Sequence, residues 1–474
     1  MILFLNAPGT EFHQRSSRWG GKRNRSGYLV PPIFLATAAA YLQEAGFDSR
    51  LLDAAALGLS RQELLRRMEE LSPDLVVIEA STISIEQDAR TARRIRETCG
   101  AEIALVGLHV TALPEETLRD YGPTYVCLGE YEEPLLELAR CRRDGRDPRS
   151  VPGLGLRCPN GTLQITPPGP LKDLNRLPIP LYRDLPLVRY WDPIVRNHPC
   201  ISIRTMRGCP FRCEYCVAPQ LIYGKTVRFR DPERVVEEIR RLQKMGVREI
   251  FIDDETFTLK REHVLAICAE MARQKVKIDW SCFGRVDLVD RDLLLEMRRA
   301  GCYMIRYGVE SSEPAILEAV GKGFTPEQVR NAFSLTHSLG LKTHATVMYG
   351  SPGETEETMR RTLSFTLSLD PDYAQFTINT PYPGTAYYRK MKEEGRILAE
   401  SWEEYDGSCR MIVRLDTVSP EKVEAFVDAS YRAFYFRPRY ILKRLRGLRR
   451  KDEVGYLFRS AGRLLAQTRA GQRG

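Results

Sequence analysis

Two stretches of this 474-residue chain alternate short apolar segments with longer amphipathic ones, and a proline-rich stretch separates them. The first stretch covers residues 1–145 and contains five such units, with strands predicted at 2–7, 49–54, 75–80, 103–107 and 125–129. Strands that alternate with helices form a parallel sheet covered on both faces. The sequence therefore predicts a doubly wound α/β domain, in which ligands bind beyond the carboxyl ends of the strands.

The alternation resumes at Cys200, with six strands predicted at 201–205, 249–253, 280–284, 304–309, 343–349 and 375–379. Six β/α units make three quarters of an eight-unit barrel, whose functional residues lie at the carboxyl ends of its strands. We therefore predict four regions: an α/β domain (1–145), a proline-rich linker (146–199), a partial barrel (200–395) and a basic helical region (396–474).

The composition excludes several classes of protein. Hydrophobic residues (43%) and charged residues (28%) are close to globular averages, and no run approaches about 18 apolar residues, so no membrane span is expected. The start of the chain lacks a basic leader with a cleavage site, which predicts a cytoplasmic protein. In that compartment we expect its twelve cysteines to be core residues or metal ligands rather than disulfides.

The net charge of +9 is concentrated near the end of the chain, where eight basic residues fall within fifteen positions: Arg437, Arg439, Lys443, Arg444, Arg446, Arg449, Arg450 and Lys451. A run of this kind is most often a solvated face, here one that caps the barrel. It could also bind an anionic membrane surface or a nucleic acid. Because no recognised nucleic-acid-binding module accompanies it, we expect no nucleic-acid partner and keep a peripheral membrane contact as an alternative.

Three cysteines lie in the loop that leaves the first predicted barrel strand: Cys209, Cys213 and Cys216, with the spacing CxxxCxxC. Three thiolates can hold three irons of a 4Fe-4S cluster and leave the fourth iron open. The amino and carboxylate groups of S-adenosylmethionine fit that vacancy, and reduction of its sulfonium would release a 5′-deoxyadenosyl radical. The alternative is a structural zinc site, which usually needs four protein ligands, and only Cys200 is near enough in sequence to be the fourth.

The segment RGCPFRCEYC at 207–216 resembles the signature of the radical S-adenosylmethionine superfamily. Three later strand ends match it in order: FIDDET at 251–256, YGVES at 307–311 and VMYGSPGE at 347–354. The resemblance implies that Asp253, Asp254 and Glu255 face the amine of S-adenosylmethionine, Arg285 its carboxylate, Glu310 its ribose, and Tyr215 and Gly350 its adenine. No residue is assigned a catalytic role, and Cys282 and Cys302 are interpreted as small buried hydrophobes.

The first domain resembles the cobalamin-binding half of the radical enzymes grouped with the anaerobic magnesium-protoporphyrin monomethyl ester cyclase and the hopanoid methylases. The matching segments are Pro31-Pro32, GLHVTALP at 107–114 and LGEYEEP at 128–134. The cobalamin contacts that this implies are Thr82, Gly107, His109, Thr111, Gly129 and Glu130. Because no Asp-x-His-x-x-Gly follows the first strand, cobalt is expected to lack the axial histidine of that motif, and His109 is not interpreted as a cobalt ligand.

The two resemblances together imply an enzyme with three cofactors: a 4Fe-4S cluster, S-adenosylmethionine and cobalamin. The predicted function is methylation of an unactivated carbon in a small-molecule, lipid or pigment substrate, with electrons from a donor such as flavodoxin or ferredoxin. The alternative from the same machinery is a radical cyclase or oxidoreductase. An alternative of another class is a zinc-dependent nucleic-acid-binding protein. A methylthiotransferase is disfavoured because Cys99, Cys127 and Cys141 lack the spacing of a second cluster.

Overall fold

The structure is a computed structural model that describes residues 1–9 and 28–446. Its first sheet consists of β1 (Ile2–Asn6), β2 (Ser49–Asp53), β3 (Leu75–Glu79), β4 (Glu102–Val106), β5 (Tyr125–Cys127), β6 (Leu154–Arg157) and β7 (Leu163–Ile165). These strands lie in the order β2-β1-β3-β4-β5-β6-β7, and β1 to β5 are parallel, as predicted. The strand order reverses beside β1, which opens a crevice beyond the carboxyl ends of β1 and β3.

The helices of this domain are α1 (Ile33–Glu44), α2 (Ala54–Leu57), α3 (Arg61–Leu71), α4 (Ile85–Cys99), α5 (Leu108–Ala112), α6 (Pro114–Glu116) and α7 (Glu132–Asp144). Helix α4 shows how the sequence sets their orientation. Ile85, Ala89, Ala92 and Ile95 recur every three or four residues and are buried, whereas polar residues occupy most of the other face. Gly100 ends the helix at φ 71°, a conformation that glycine adopts at little cost.

The predicted linker at 146–199 differs from the structure in its first part. Strands β6 and β7 form an antiparallel hairpin that joins the edge of the first sheet at β5. Gly155 permits this pairing, because a Cβ there would lie 2.7 Å from the side chain of Val126. The sequence signal was a short alternation of apolar and polar residues around Gly161, which the density of prolines on both sides obscured.

The second sheet has six parallel strands in sequence order, as predicted for a partial barrel. Its strands are β8 (Cys200–Ile203), β11 (Glu249–Ile252), β12 (Asp279–Gly284), β13 (Cys302–Glu310), β14 (Lys342–Tyr349) and β15 (Tyr373–Ile378). Between β8 and β11, the short strands β9 (Met206–Arg207) and β10 (Arg228–Phe229) pair antiparallel and enclose the cysteine loop. The cysteines therefore lie at the carboxyl-terminal end of the barrel, where chemistry is expected.

The helices of the second half are α8 (Pro232–Lys244), α9 (Arg261–Arg273), α10 (Arg291–Arg299), α11 (Pro314–Ala319), α12 (Pro326–Ser338), α13 (Glu356–Ser368), α14 (Ala386–Glu393), α15 (Pro420–Tyr435) and α16 (Pro438–Arg446). Helix α15 covers the open edge of the barrel at β15. The hydroxyl of Tyr435 donates to the carbonyl of Ala374 (2.7 Å), and the amide of Phe376 donates to the hydroxyl of Tyr431 (3.2 Å). Side-chain hydroxyls thus satisfy part of an edge strand.

The basic residues of α16 contact the barrel. Lys443 pairs with Asp372 (3.3 Å), Arg439 with Asp370 (3.5 Å), and Arg444 donates to the hydroxyl of Tyr373 (2.7 Å). These contacts agree with the interpretation of the basic run as a face that caps the barrel. Arg449, Arg450, Lys451 and the side chain of Arg446 lie outside the described residues. Within residues 1–9 and 28–446, no helix is long and apolar enough to cross a membrane.

Candidate functional site

The cysteine loop is held in one shape by its neighbours. Gly208 has φ 99°, and a Cβ at this position would lie 2.3 Å from the carbonyl oxygen of Thr226, so only glycine fits. The side-chain amide of Gln220 donates to the carbonyl oxygens of Cys213 (3.1 Å), Glu214 (3.1 Å) and Cys216 (2.9 Å). None of the three predicted cluster cysteines is in a disulfide. The loop therefore presents three thiols on a braced backbone.

The donor set suits a cluster better than a single ion. Among the described residues, no three cysteine, histidine, aspartate or glutamate side chains lie close enough together to hold one metal ion. A structural zinc site needs four ligands at roughly 2.0–2.3 Å from the same ion, which argues against the zinc alternative. In a 4Fe-4S cluster each thiolate binds a different iron, so Cys209, Cys213 and Cys216 can be farther apart.

A buried lysine joins two of the residues predicted to bind S-adenosylmethionine. Lys322 Nζ donates to Glu310 Oε1 (2.7 Å) and to the hydroxyl of Tyr215 (3.1 Å), and that hydroxyl lies 3.1 Å from the same carboxylate oxygen. Although burial opposes it, the Glu310 carboxylate raises the pKa of Lys322, which is therefore charged. The three side chains form one network beside the cysteine loop.

Sequence analysis missed Lys322. Its position is decided by Gly321, which packs against the cysteine loop so closely that a Cβ would lie 2.5 Å from the carbonyl oxygen of Arg212. The available signal was a lysine between two glycines, Gly321 and Gly323, both with positive φ. By itself this pattern indicates only a turn.

The acidic residues that follow β11 have separate roles in the structure. Asp254 is fully buried and accepts hydrogen bonds from the amides of Thr205 (2.7 Å) and Met206 (3.2 Å) and from the Thr205 hydroxyl. Burial raises its pKa to about 7. Its oxygens thus hold the segment that enters the cysteine loop, and its contact with the amine of S-adenosylmethionine stays a prediction.

Asp253 and Glu255 lie on either side of Asp254 and contact one arginine. Glu255 forms an ion pair with Arg204, and Asp253 lies 3.6 Å from the same guanidinium. The side chain of Asp253 is 16% exposed and that of Glu255 is 2% exposed. Asp253 is therefore the better placed of the two to meet a ligand amine, and this role remains a prediction.

Arg285 and Gly350 lie at the ends of β12 and β14. The guanidinium of Arg285 pairs with Asp287 (2.9 Å), donates to the carbonyl of Lys322 (2.9 Å) and stacks 3.6 Å from the ring of Phe211. Arg285 thus reaches the cysteine loop, as a carboxylate-binding residue must. A Cβ on Gly350 would lie 2.7 Å from the sulfur of Met411, so this glycine also makes room for the carboxyl-terminal region.

The residues predicted to contact cobalamin lie at the carboxyl ends of β3, β4 and β5. Gly107 has φ 110°, and a Cβ there would lie 2.6 Å from the carbonyl oxygen of Ala80. The hydroxyl of Thr111 donates to the carbonyl of Gly107 (2.8 Å) and accepts from the amide of Gly129 (3.0 Å). Thr82 is buried at the neighbouring strand exit. Thr111 therefore joins two strand exits, and its direct contact with a cofactor remains a prediction.

The imidazole of His109 is fully buried. Neither ring nitrogen has a partner among the described residues, and the ring meets Trp402 edge to face at a centroid distance of 5.0 Å. Burial lowers its pKa to about 3. A neutral imidazole at a strand exit whose ring nitrogens have no protein partner is a polar group that a bound cofactor could satisfy.

Glu130, another predicted cobalamin contact, binds arginines of the barrel. Its carboxylate accepts from Arg207 (2.8 Å), Arg228 (2.6 Å) and the amide of Leu171 (3.1 Å), and the side chain is 1% exposed. A buried carboxylate with three donors is already satisfied. Two arginines from the barrel, which sequence spacing could not reveal, occupy its oxygens, and a direct cofactor contact stays a prediction.

Both halves of the chain line one small, partly open cavity. The first domain contributes the exits of β4 and β5, and the barrel contributes Arg207 and the single helical turn Ala218–Ile222 that follows the cysteines. Lining residues include Gly107, Gly129, Tyr131, Arg207, Ala218 and Tyr223. The carboxyl ends of the first sheet thus face the cysteine loop of the second.

Comparison with known proteins agrees with this arrangement. Residues 203–366 match the model of the radical SAM superfamily, and residues 23–139 match that of the B12 binding domain. The chain is 33% identical over 422 residues to an uncharacterized methyltransferase of Pyrococcus horikoshii, covering 88% of this chain and 90% of the relative. It is 28% identical to the anaerobic magnesium-protoporphyrin IX monomethyl ester cyclase of Rubrivivax gelatinosus, covering 87% and 75%.

Two solved structures share the fold. The radical S-adenosylmethionine methyltransferase TsrM from Kitasatospora setae, with cobalamin and a 4Fe-4S cluster bound, superposes with a TM-score of 0.69 at 19% identity, covering 91% of this chain and 88% of that one. The cobalamin-dependent radical enzyme OxsB superposes with a TM-score of 0.74 at 16% identity, covering 96% and 70%.

The fold, the site and these matches define a radical S-adenosylmethionine enzyme with a cobalamin-binding domain. The chain belongs to the cobalamin-binding radical S-adenosylmethionine family, and its cofactors are a 4Fe-4S cluster, S-adenosylmethionine and cobalamin.

Proposed function

We propose that this enzyme methylates an unactivated carbon of a small molecule, with Cys209, Cys213 and Cys216 holding the cluster. The observation that carries the proposal is the shared cavity, because it brings the cobalamin-domain strand exits and the segment next to the cysteines to one space. The curated relatives support it, since they include the Pyrococcus horikoshii methyltransferase and the hopanoid C-3 methylase of Methylococcus capsulatus, which is 28% identical over 75% of this chain.

The protein residues bind and orient the reacting groups. Tyr215, Glu310 and Lys322 form the wall against which the nucleoside of S-adenosylmethionine would lie. We assign its carboxylate to Arg285, whose guanidinium is paired with Asp287 in this structure. Gly107, Gly129 and Thr111 shape the strand exits for the corrin. When bound, the cluster and S-adenosylmethionine supply the radical that removes a hydrogen atom, and cobalamin supplies the methyl group that replaces it.

The test is anaerobic reconstitution of the enzyme with iron, sulfide and cobalamin, followed by measurement of 5′-deoxyadenosine formation. Cys213→Ala should abolish that product, because the cluster loses one of only three thiolates. The same variant should retain the corrinoid absorption spectrum, since Cys213 lies outside the first domain. Persistent 5′-deoxyadenosine formation in this variant would contradict the assignment.

The second candidate function is a radical cyclisation or oxidation, which the cyclase relatives favour. To test it, candidate lipids and pigments are incubated with the reconstituted enzyme, and the mass of each product is compared with that of its substrate by mass spectrometry. A gain of one methylene supports methylation. A loss of hydrogen or a gain of oxygen supports the cyclase or oxidoreductase alternative.

We propose two further partners. The electron donor is a small flavin or iron-sulfur protein such as flavodoxin or ferredoxin, because cluster reduction requires one electron at low potential. The second is an anionic membrane surface. Ile441 and Leu442 of α16 are 40% and 48% exposed beside basic residues, a combination that favours interfacial binding. Sedimentation with anionic vesicles tests this contact, and failure to sediment at low salt rejects it.

A further inference from the structure

Arg207 connects the two halves of the molecule beside the predicted cluster. It ends β9 two positions before Cys209, and its guanidinium donates to Glu130 (2.8 Å) and Glu132 (2.5 Å) of the first domain. The side chains of Arg207, Glu130 and Glu132 are 5%, 1% and 3% exposed. One planar cation from the barrel is therefore shared by two buried carboxylates of the cobalamin domain.

Aromatic rings hold this guanidinium in place. It lies 5.9 Å from the ring of Phe34, at the start of α1, and 5.5 Å from the ring of Tyr223, just after the cysteine loop. Arg204 lies near the same two rings, at 4.8 and 5.3 Å. Contacts between cations and ring faces add to ion pairing when they are desolvated. The arginine is thus constrained by residues from both domains.

A second connection reinforces the first. Arg228 of β10 donates to the other oxygen of Glu130 (2.6 Å), to the carbonyl of Leu171 and to the carbonyl of Tyr223 (3.2 Å). Since β10 pairs with β9, both strands that enclose the cysteine loop are attached to the same glutamate. Glu130 of the cobalamin domain therefore binds both strands that flank the cysteine loop.

We propose that Arg207 is a positioning residue that sets the cysteine loop, and with it the cluster, at a defined separation from the cobalamin domain through Glu130 and Glu132. The inference rests on the proposed function in needing both cofactors to serve one reaction. Lysine cannot replace arginine here, because an ammonium group is a point charge and lacks the planar fork that spans two carboxylates. Replacing the guanidinium with an ammonium group would make the cysteine loop more mobile but would keep the positive charge.

The first experiment needs no cofactor. Hydrogen–deuterium exchange of the cofactor-free protein is compared between the wild type and Glu132→Gln, a change in the cobalamin domain. Exchange in residues 208–216, across the domain boundary, should accelerate by about fivefold or more, as expected for groups coupled through a buried network. The matched control is Glu249→Gln, an equally buried glutamate at the amino end of β11 that accepts a hydrogen bond from Tyr303 of the barrel.

Glu249→Gln should leave exchange in residues 208–216 unchanged, because Glu249 lies at the opposite end of its strand from the cysteine loop. Equal acceleration in both variants would show a general loss of stability and overturn the proposal. An unchanged loop in Glu132→Gln would overturn it as well. Because this comparison uses protein without cofactors, its result stands even if the proposed methylation fails.

The second experiment uses the fully loaded protein. Arg207→Lys and wild type are reconstituted to equal iron, sulfide and cob(II)alamin contents, the cluster is reduced with dithionite, and samples with equal remaining cob(II)alamin signal are compared. Microwave power saturation of the cob(II)alamin signal then reports its magnetic interaction with the reduced cluster, which depends on their separation. We expect easier saturation in Arg207→Lys, by about twofold or more in half-saturation power, because the loop is less constrained. Identical saturation at equal loading would contradict the positioning role.

Discussion

At the scale of single residues, the network of Lys322, Glu310 and Tyr215 shows how a position acquires a role from its neighbours. Glu310 has φ 60°, an unusual value for a residue other than glycine, and follows a register shift in the pairing of β13 with β14. This turn of the backbone directs the carboxylate to Lys322 and Tyr215. A strained conformation that persists in a buried site is often functional.

Replacing Lys322 with methionine should lower the free energy of unfolding by about 3 kcal/mol, because Glu310 would remain as a buried and unpaired carboxylate. The double variant Lys322→Met with Glu310→Gln should recover most of that loss, since neither charge is then present. Urea unfolding of the three proteins measures the coupling. A double variant as unstable as Lys322→Met would show that the ion pair is not the cause.

His109 should make stability depend on pH. Between pH 6.5 and about 3 the unfolded chain binds a proton at this residue that the folded protein does not bind, so the free energy of unfolding falls as the pH falls. The limiting slope is roughly 1.4 kcal/mol per pH unit, and above pH 6.5 the group contributes no slope.

The variant His109→Phe keeps an aromatic ring against Trp402 and removes the proton-binding group. Between pH 7.5 and 5.5 it should lose roughly 1.4 kcal/mol less stability than the wild type, measured by urea unfolding. Equal losses in the two proteins would mean that His109 is hydrated in solution.

At the scale of elements, the turn from β4 to α5 shows how backbone geometry shapes the cobalamin side of the cavity. Gly107 combines a positive φ with a close approach to Ala80, and the next residues form the short helix that carries His109 and Thr111. The turn thus orders both side chains at a strand exit. The same strand exits line the shared cavity.

Gly107→Ala should destabilise the first domain by about 3 kcal/mol and weaken cobalamin binding, because its Cβ would meet backbone and its φ is strained. Gly100→Ala is the matched control, since φ is also positive there but no atom lies within 4 Å of the added Cβ. That control should cost only about 1 kcal/mol. Thermal unfolding and corrinoid titration compare the two, and equal effects would reject the close-contact argument.

At the scale of the whole molecule, the segment that follows α14 returns from the barrel to the cobalamin domain. The indole of Trp402 covers His109 and donates to Glu116 (3.1 Å), while Met411 packs against Gly350 at the end of β14. The residues between them therefore connect the carboxyl ends of both sheets. Neither the cysteine motif nor the strand-end motifs predict this connection.

Trp402→Ala should accelerate hydrogen–deuterium exchange in residues 107–117, because His109 would lose its cover and water could enter. The melting temperature should also fall, in line with a loss of about 2 kcal/mol for a half-buried aromatic side chain. Glu403→Gln serves as the control, since its ion pair with Arg90 is exposed and worth little. Exchange that is unchanged in Trp402→Ala would mean that the segment does not protect the first domain.

The sequence predicted both sheets, because strand alternation and helix periodicity are local properties that survive without knowledge of the fold. It failed for β6 and β7, where two very short strands gain their stability from pairing with β5 rather than from their own pattern. Lys322 was missed for a similar reason. A lysine between two glycines predicts no site by itself, because the close packing of Gly321 against the cysteine loop is a tertiary contact.

The amino-acid sequence by itself determined the class of chemistry, since the spacing of three cysteines and the order of the strand-end motifs are written along the chain. Only the tertiary structure decided which acidic side chains remain available. Asp254 and Glu130 belong to matching motifs, yet their oxygens are occupied by Thr205, Met206, Arg207 and Arg228. A carboxylate's role depends on the donors that burial brings to it, and those donors lie up to 98 positions away in the chain.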